Sequence, residues 1–167
     1  VAAGLHNATA FFNETLDGAI ALSTMLSTAP NSIEPPAGYS ADFGGVFYPT
    51  FDNEYYGGWF NLDDDEALVI EGAVPEAPYW SVSLQNRWMQ SYDYKRFPVS
   101  LNNRAINVDP DGNYRVVIAA SDPGIGDWLS TAGFRHGLMA LRYQLATQAE
   151  PPVVRLTTVE ALNAESR

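Results

Sequence analysis

Asp93, Asp122, Asp127 and His136 are side chains of the types that move protons, and they fall within one stretch of this sequence. Hydrolysis or elimination on a polar substrate needs two carboxylates facing one another, or a nucleophile with a base and a group that orients it. Glu71, Asp93, Asp122 and Asp127 could supply the first arrangement. Ser91 or Ser130 with His136 and an aspartate could formally make the second, although Ser130 lacks the Gly-x-Ser-x-Gly elbow that presents a nucleophile. His6 is the only other histidine, so a His-rich metal site is excluded within this chain, while one built mostly from carboxylates stays open. No motif calls for a cofactor.

Each of these residues also has an architectural reading. Asp93 lies between Tyr92 and Tyr94, just before Lys95 and Arg96, and suits an ion pair with a neighbouring arginine. Arg142, alone in an apolar run, is the natural partner for a buried carboxylate. "SDPGIGDW" sets Asp122, Asp127 and Trp128 close to Arg135 and His136. Its Gly-x-Gly could offer amides to an anion, yet a phosphate loop needs the longer Gly-Lys-Ser/Thr form, so a turn is expected. The acidic run Asp63–Glu66 reads as a solvated turn, because a calcium loop needs alternating carboxylates and a distal glutamate. Asp109–Gly112 reads as a Pro-Asp-Gly turn.

The candidate binding residues cluster in "EGAVPEAPYWSVSLQNRWMQSYDY". In strand phase Trp80, Val82, Leu84, Asn86 and Trp88 share one face, so Asn86 is expected on an apolar surface. An unpaired amide buried there would cost about 1–3 kcal/mol, and either backbone or a bound ligand must satisfy it. With Trp128 and Arg142, these residues would form an aromatic wall carrying a few polar groups, as small-molecule sites do. Trp59, Trp80, Trp88 and Trp128 otherwise read as core; two of them exposed side by side would favour stacking on a sugar.

Those residues must be positioned by elements that the periodicity predicts. Residues 1–29 form one amphipathic helix, with Leu5, Phe12, Leu16, Ala19, Ser23 and Leu26 along its stripe, expected to pack on the rest. Its two Asn-x-Thr triplets, at Asn7 and Asn13, are chance occurrences on a helix. Residues 30–42, with Pro30, Pro35 and Pro36, form a loop. From residue 43 to 167 the period becomes two, in "GGVFYP", "YYGGWFNL", "ALVIEGAV", "YWSVSLQNRW", "AINV", "YRVVIAAS" and "VVRLTT". "GLMALRYQL" alternates as a strand, with a short helix as the alternative, and "TVEALNAES" suits a terminal helical turn. Short strands without intervening helices predict an antiparallel β-sandwich or jelly roll.

Composition agrees and narrows the partners. An apolar share of 46% with 17% charged residues describes a folded domain, and 167 residues suffice for one core. The net charge of −11 repels phosphate backbones and anionic bilayers, and basic residues look scattered. The longest apolar stretch is too short and polar to span a membrane. Cysteine is absent, which removes disulfides and thiol chemistry. The chain opens on Val1 with no signal-peptide pattern, so the expectation is a fragment or processed piece of a longer protein.

Over roughly residues 55–160 the order of motifs is similar to a bacterial family of unassigned function, the domain of unknown function numbered 1214. The resemblance rests on Glu71-Gly72 with Pro75, Tyr79-Trp80, Trp88, Ser91 with Asp93-Tyr94, and Ser100 with Asn102. It continues through Asp109-Pro110-Asp111-Gly112, Asp122-Pro123-Gly124, Trp128-Leu129, Thr131-Ala132-Gly133 and Arg142. Asp127, Ser130 and Phe134 replace the Asn, Asp and His usual there, with His136 two places on, so the resemblance carries no chemistry of that loop over to this chain. The resemblance implies a jelly-roll sandwich preceded by another domain, and no established activity.

Two functional readings follow. One is a binding or assembly module for a small polar, carbohydrate-like ligand or for a preceding domain, companion chain or second copy. The other is a carboxylate-dependent hydrolase or lyase using Asp93 and Asp122 or Asp127 with Arg142 and Asn86.

Overall fold

Alternation of apolar and polar residues builds two sheets whose inner faces meet. The computed structural model describes residues 2–26, 29–33, 50 and 52–165, without the side chains at positions 2, 19 and 22–26. Helix α1 (Ala2–Leu26) precedes β1 (Asn53–Asn61), β2 (Glu66–Ala73), β3 (Tyr79–Gln85), β4 (Ser100–Asn102) and β5 (Asn113–Ala119). There follow β6 (Asp127–Ser130), β7 (His136–Gln144), β8 (Val153–Thr158) and the short helix α2 (Val159–Glu165). One sheet runs β1-β7-β3-β4 and the other β6-β5-β2-β8, a β-sandwich with an N-terminal helix.

Every second residue of each long strand points inward, as a two-residue period requires. Tyr56 and Phe60, Leu68 and Ile70, Trp80 to Leu84, Tyr114 to Ile118, and Met139 to Tyr143 join in one core. The remaining face of the second sheet is also apolar. Ala67, Val69, Val117 and Ala119 pack there under Leu162 of α2, with Trp128 beside them. Burial on both sides explains why "ALVI" and "VVIA" read as continuous apolar runs.

Where the two sheets meet around Trp80, the core is aromatic and contains two hydroxyls. The Trp80 ring lies 4.7 Å from Tyr114 and 6.5 Å from Tyr143, and Tyr143 lies 5.2 Å from Tyr56. The buried hydroxyls of Tyr114 and Tyr143 share a hydrogen bond of 3.1 Å across the sheets. Tyr56 instead donates to the Glu54 carboxylate at 3.1 Å.

Among the described residues, Asn31 caps the end of the β1 edge. Asn31 donates its amide to the Trp59 carbonyl and its side-chain amide to the Asn61 carbonyl, while its side-chain oxygen accepts from the Asn61 amide. Its φ of 62° is left-handed, a conformation Asn tolerates better than most residues. This approach requires Gly58, because a Cβ there would collide with the Ser32 carbonyl.

Several expectations are corrected. β3 stops at Gln85, so Asn86 and Trp88 leave the strand and do not share the face of Trp80. "AINV" is a turn, since Asn102 accepts from the amides of Arg104, Ala105 and Ile106; the strand is the preceding Ser100–Asn102. Asp127–Ser130, read as loop, is an edge strand parallel to β5 with Val116 opposite Asp127. A short connection suffices there, because the chain backs up only from Ala119 to the level of Val116. "GLMALRYQL" is strand through Gln144, and a left-handed Leu145 ends it. On α1 the described stripe residues Leu5, Phe12 and Leu16 are exposed rather than packed on the sandwich. The side chains of Ala19, Ser23 and Leu26, most of loop 30–42 and the run "GGVFYP" lie outside the described residues. The threonines of both Asn-x-Thr triplets donate to their own helix, Thr9 to the Leu5 carbonyl and Thr15 to that of Phe11.

Two outcomes test this packing. A Cβ at Gly137 would overlap the Tyr92 hydroxyl, the Gln85 carbonyl and the Phe60 ring. Gly137→Ala should therefore lose about 1–3 kcal/mol in urea denaturation, whereas Gly57→Ala, facing only ordinary contact with the Met139 carbonyl, should lose far less. The second outcome concerns pH. Burial, then the Glu54 hydrogen bond, pushes Tyr56 up to about 12, and burial pushes Tyr92 up to about 12. Burial also raises Tyr114 and Tyr143. These groups hold their protons more tightly folded than unfolded, so stability is full below the ordinary tyrosine value of 10.0 and falls as pH rises above it. Ultraviolet titration should show these phenols ionising only together with the loss of near-ultraviolet circular dichroism; their ionisation in the intact fold near pH 10 would contradict the packing.

Candidate functional site

One open groove is built where the strands of the second sheet leave the cover of α2. Its volume is about 730 Å³, within the range of small-molecule sites, and its polar lining comprises Glu71, Asn107, Asp109, Asn113, Arg115 and Asp127. Glu71 and Arg115 are direct cross-strand partners on β2 and β5. Their outward alternation brings Arg115 Nε to 2.6 Å from Glu71 Oε1. Asp127 opens β6 and ties the preceding turn to it: Asn107 donates its backbone amide at 2.6 Å and its side-chain amide at 2.7 Å. Asp109 closes the Pro-Asp-Gly turn, accepting from the amides of Asp111 at 3.0 Å and Asn113 at 2.7 Å. The Asn113 amide is the main cause holding the exposed Asp109 carboxyl below the usual carboxylate range, against an opposing effect of burial.

Each groove carboxylate is thus engaged by a donor of the fold. The arrangement can hold a polar molecule by hydrogen bonds to the outer atoms of the Glu71–Arg115 pair and of the asparagines. It does not present two opposed free carboxylates. Among the described residues no group of three or more His, Asp or Glu side chains could hold a metal ion.

Of the acid–base and binding candidates singled out by the sequence, Glu71 and Asp127 line this groove. Trp80 is 2% exposed and belongs to the aromatic core, so its face is unavailable to a ligand. Asn86 is a turn cap: its side-chain oxygen accepts from the amides of Trp88 and Gln90, and its side-chain amide donates to Gln90 Oε1. Its partners are therefore local, as an amide leaving a strand can arrange without a ligand. Trp88 is 44% exposed beneath the Arg87 guanidinium, 5.3 Å from its ring centre. Trp128 donates its indole N–H to the Ala119 carbonyl at 3.1 Å and packs beside α2. Trp59 is also buried, so the four tryptophans form no exposed stacking pair.

The acid–base candidates are dispersed. Asp93 caps its own turn through the Lys95 amide and pairs with Arg96 at 3.5 Å, which bears out the ion-pair reading. Asp122 accepts from the Gly124 amide at 2.8 Å in the loop before β6. His136 is exposed at the start of β7, paired with Asn61 of β1 in the sheet that does not carry the groove. Arg142 is exposed, donates to Asn53 Oδ1 at 2.6 Å and lies over the Tyr55 ring, so it does not serve a buried carboxylate. The acidic run is a turn, with Asp63 and Asp64 facing Arg135.

Sequence reasoning missed Arg115, Asn107 and Asn113 as groove residues. The alternation in "NYRVVIA" does place Arg115 opposite Tyr114 and Val116 in phase. Nothing local signals that Glu71, forty-four residues earlier, stands directly opposite it.

No family model matches the chain, and no curated protein matches it. Among solved structures, an uncharacterised protein from Burkholderia cenocepacia is similar, with a TM-score of 0.75 and 32% identity over 82% of this chain and 38% of its own. The VPA0106 protein from Vibrio parahaemolyticus gives a TM-score of 0.49 and 18% identity, over 64% of this chain and 31% of its own. The chain therefore spans less than two fifths of either protein's length. The Burkholderia likeness agrees with the β-sandwich.

Proposed function

We propose that this domain is an assembly module, a β-sandwich with a filled interior that docks onto a partner surface, another part of a longer protein or a second copy, through the apolar face of α1. The observation that carries this reading is the exposure of α1 itself. Leu5 and Phe12 are 65% and 66% exposed, and Phe11 and Leu16 are exposed beside them. Helices in water draw most of their stability from burying an apolar face, so such a stripe calls for a partner surface. The motif order resembling the domain of unknown function 1214, whose members carry a preceding domain, supports the same reading, as does the greater length of the Burkholderia protein.

A small polar ligand is the second reading, favoured by the groove at Glu71, Arg115 and Asp127. The hydrolase or lyase alternative needs Asp93, Asp122 or Asp127 and Arg142 in one cleft, and their separate partners give it no support.

The assembly reading is tested with a chain carrying Leu5→Gln, Phe12→Gln and Leu16→Gln together. The expected outcome is an unchanged thermal midpoint of the sandwich with loss of binding to an apolar fluorescent dye. A drop beyond about 4 °C, more than roughly 1 kcal/mol at this chain length, would show that α1 stabilises its own sandwich and would overturn the proposal.

A further inference from the structure

Some of the cations of this acidic chain, which look scattered along the sequence, gather on one short segment after β3. Of nine lysines and arginines, Arg87, Lys95 and Arg96 fall between Asn86 and Pro98, where Asp93 is the only carboxylate. All three are exposed, and among the described residues only Arg96 of the three meets a carboxylate, Asp93, with both side chains largely in solvent. The same segment exposes Trp88, Tyr94 and Phe97, with Tyr94 72% accessible. Tryptophan, tyrosine and arginine are the residues that dominate binding energy at protein interfaces.

The segment is also held in place, which lowers the cost of ordering it on binding. Asn86 and Asp93 cap its turns, Leu84 and Ser130 donate to the carbonyls of Val99 and Pro98, and Tyr92 stacks on Phe134 at 4.9 Å. Helix α1 has the opposite character. It contains no lysine or arginine, it exposes Glu14 and Asp17, and it presents Phe11, Phe12 and Leu16 near them in sequence.

Resting on the assembly reading, we propose that the surface from Asn86 to Pro98 docks α1 of a second copy of this chain. Lys95 and Arg96 face Glu14 and Asp17 across the contact, and Trp88, Tyr94 and Phe97 cover the apolar stripe. Because each copy carries both surfaces, a two-fold dimer forms the contact twice and leaves neither unfilled. A nucleic-acid partner fits less well, since the net charge of −11 opposes a polyanion.

Sedimentation velocity of the chain over a wide concentration range tests this, with circular dichroism confirming that every variant is folded. The expected result is a concentration-dependent dimer that weakens several-fold at high salt. Lys95→Glu with Arg96→Glu should raise its dissociation constant about tenfold or more, and adding Glu14→Lys with Asp17→Lys should restore it. A dimer abolished by Phe12→Gln but indifferent to the reversals at Lys95 and Arg96 would overturn the docking surface and leave assembly through α1 standing. A monomer at every concentration would overturn the second copy as the occupant, and a midpoint lowered by the α1 substitutions would remove the assembly reading itself.

Discussion

Two tyrosine hydroxyls face each other between the sheets, and the arrangement of this domain depends on their bond. Tyr114 comes from one sheet and Tyr143 from the other, and both are buried among apolar groups. A hydroxyl left unpaired there would cost about 1–3 kcal/mol. Mutual hydrogen bonding at 3.1 Å removes that cost only while the sheets keep one spacing and one offset. The rings around them enforce it: Trp80 is wedged against both, and Tyr56 packs on Tyr143 while sending its own hydroxyl to Glu54.

That constraint removes residues from function. Trp80 has the chemistry of a ligand platform, but its ring is committed to the inter-sheet contact. Trp128 is committed to the second apolar layer, where its indole N–H satisfies the Ala119 carbonyl. With the interior filled and one outer sheet face covered by α2, polar chemistry is displaced to the rims, where strands end and turns begin. There, most of the conspicuous aspartates and asparagines satisfy backbone amides. Asp93, Asp109 and Asp122 each accept from an amide two residues ahead, a local geometry that short polar side chains form readily. Asp127 differs because its partner, Asn107, is twenty residues away and joins a turn to an edge strand.

The surface is accordingly divided. One region is a polar groove whose carboxylates are matched with an arginine and asparagines. Another gathers exposed aromatics with Arg87, Lys95 and Arg96 on the segment after β3, while α1 presents apolar and acidic groups. An overall charge of −11 conceals this division, because a sum over the chain carries no information about where charges meet.

The sequence by itself determined the strands β1, β2, β3, β5, β7 and β8, their inward residues and the terminal helical turn, because a two-residue period forces alternate side chains to opposite faces. Tyr114, Val116 and Ile118, and likewise Met139, Leu141 and Tyr143, were legible on those grounds. It also marked Asp63–Glu66 and Asp109–Gly112 as turns, whose chemistry is local. Only the tertiary structure decided what depends on distant pairing. A strand's end is set by whether neighbours continue the ladder, which is why Asn86 and Trp88 turn away although their alternation persists. The parallel edge strand Asp127–Ser130 is defined by β5 rather than by its own propensity. The partnership of Glu71 with Arg115, the capping of the β1 edge by Asn31, and the exposure of α1 follow from register and packing, which no local pattern encodes.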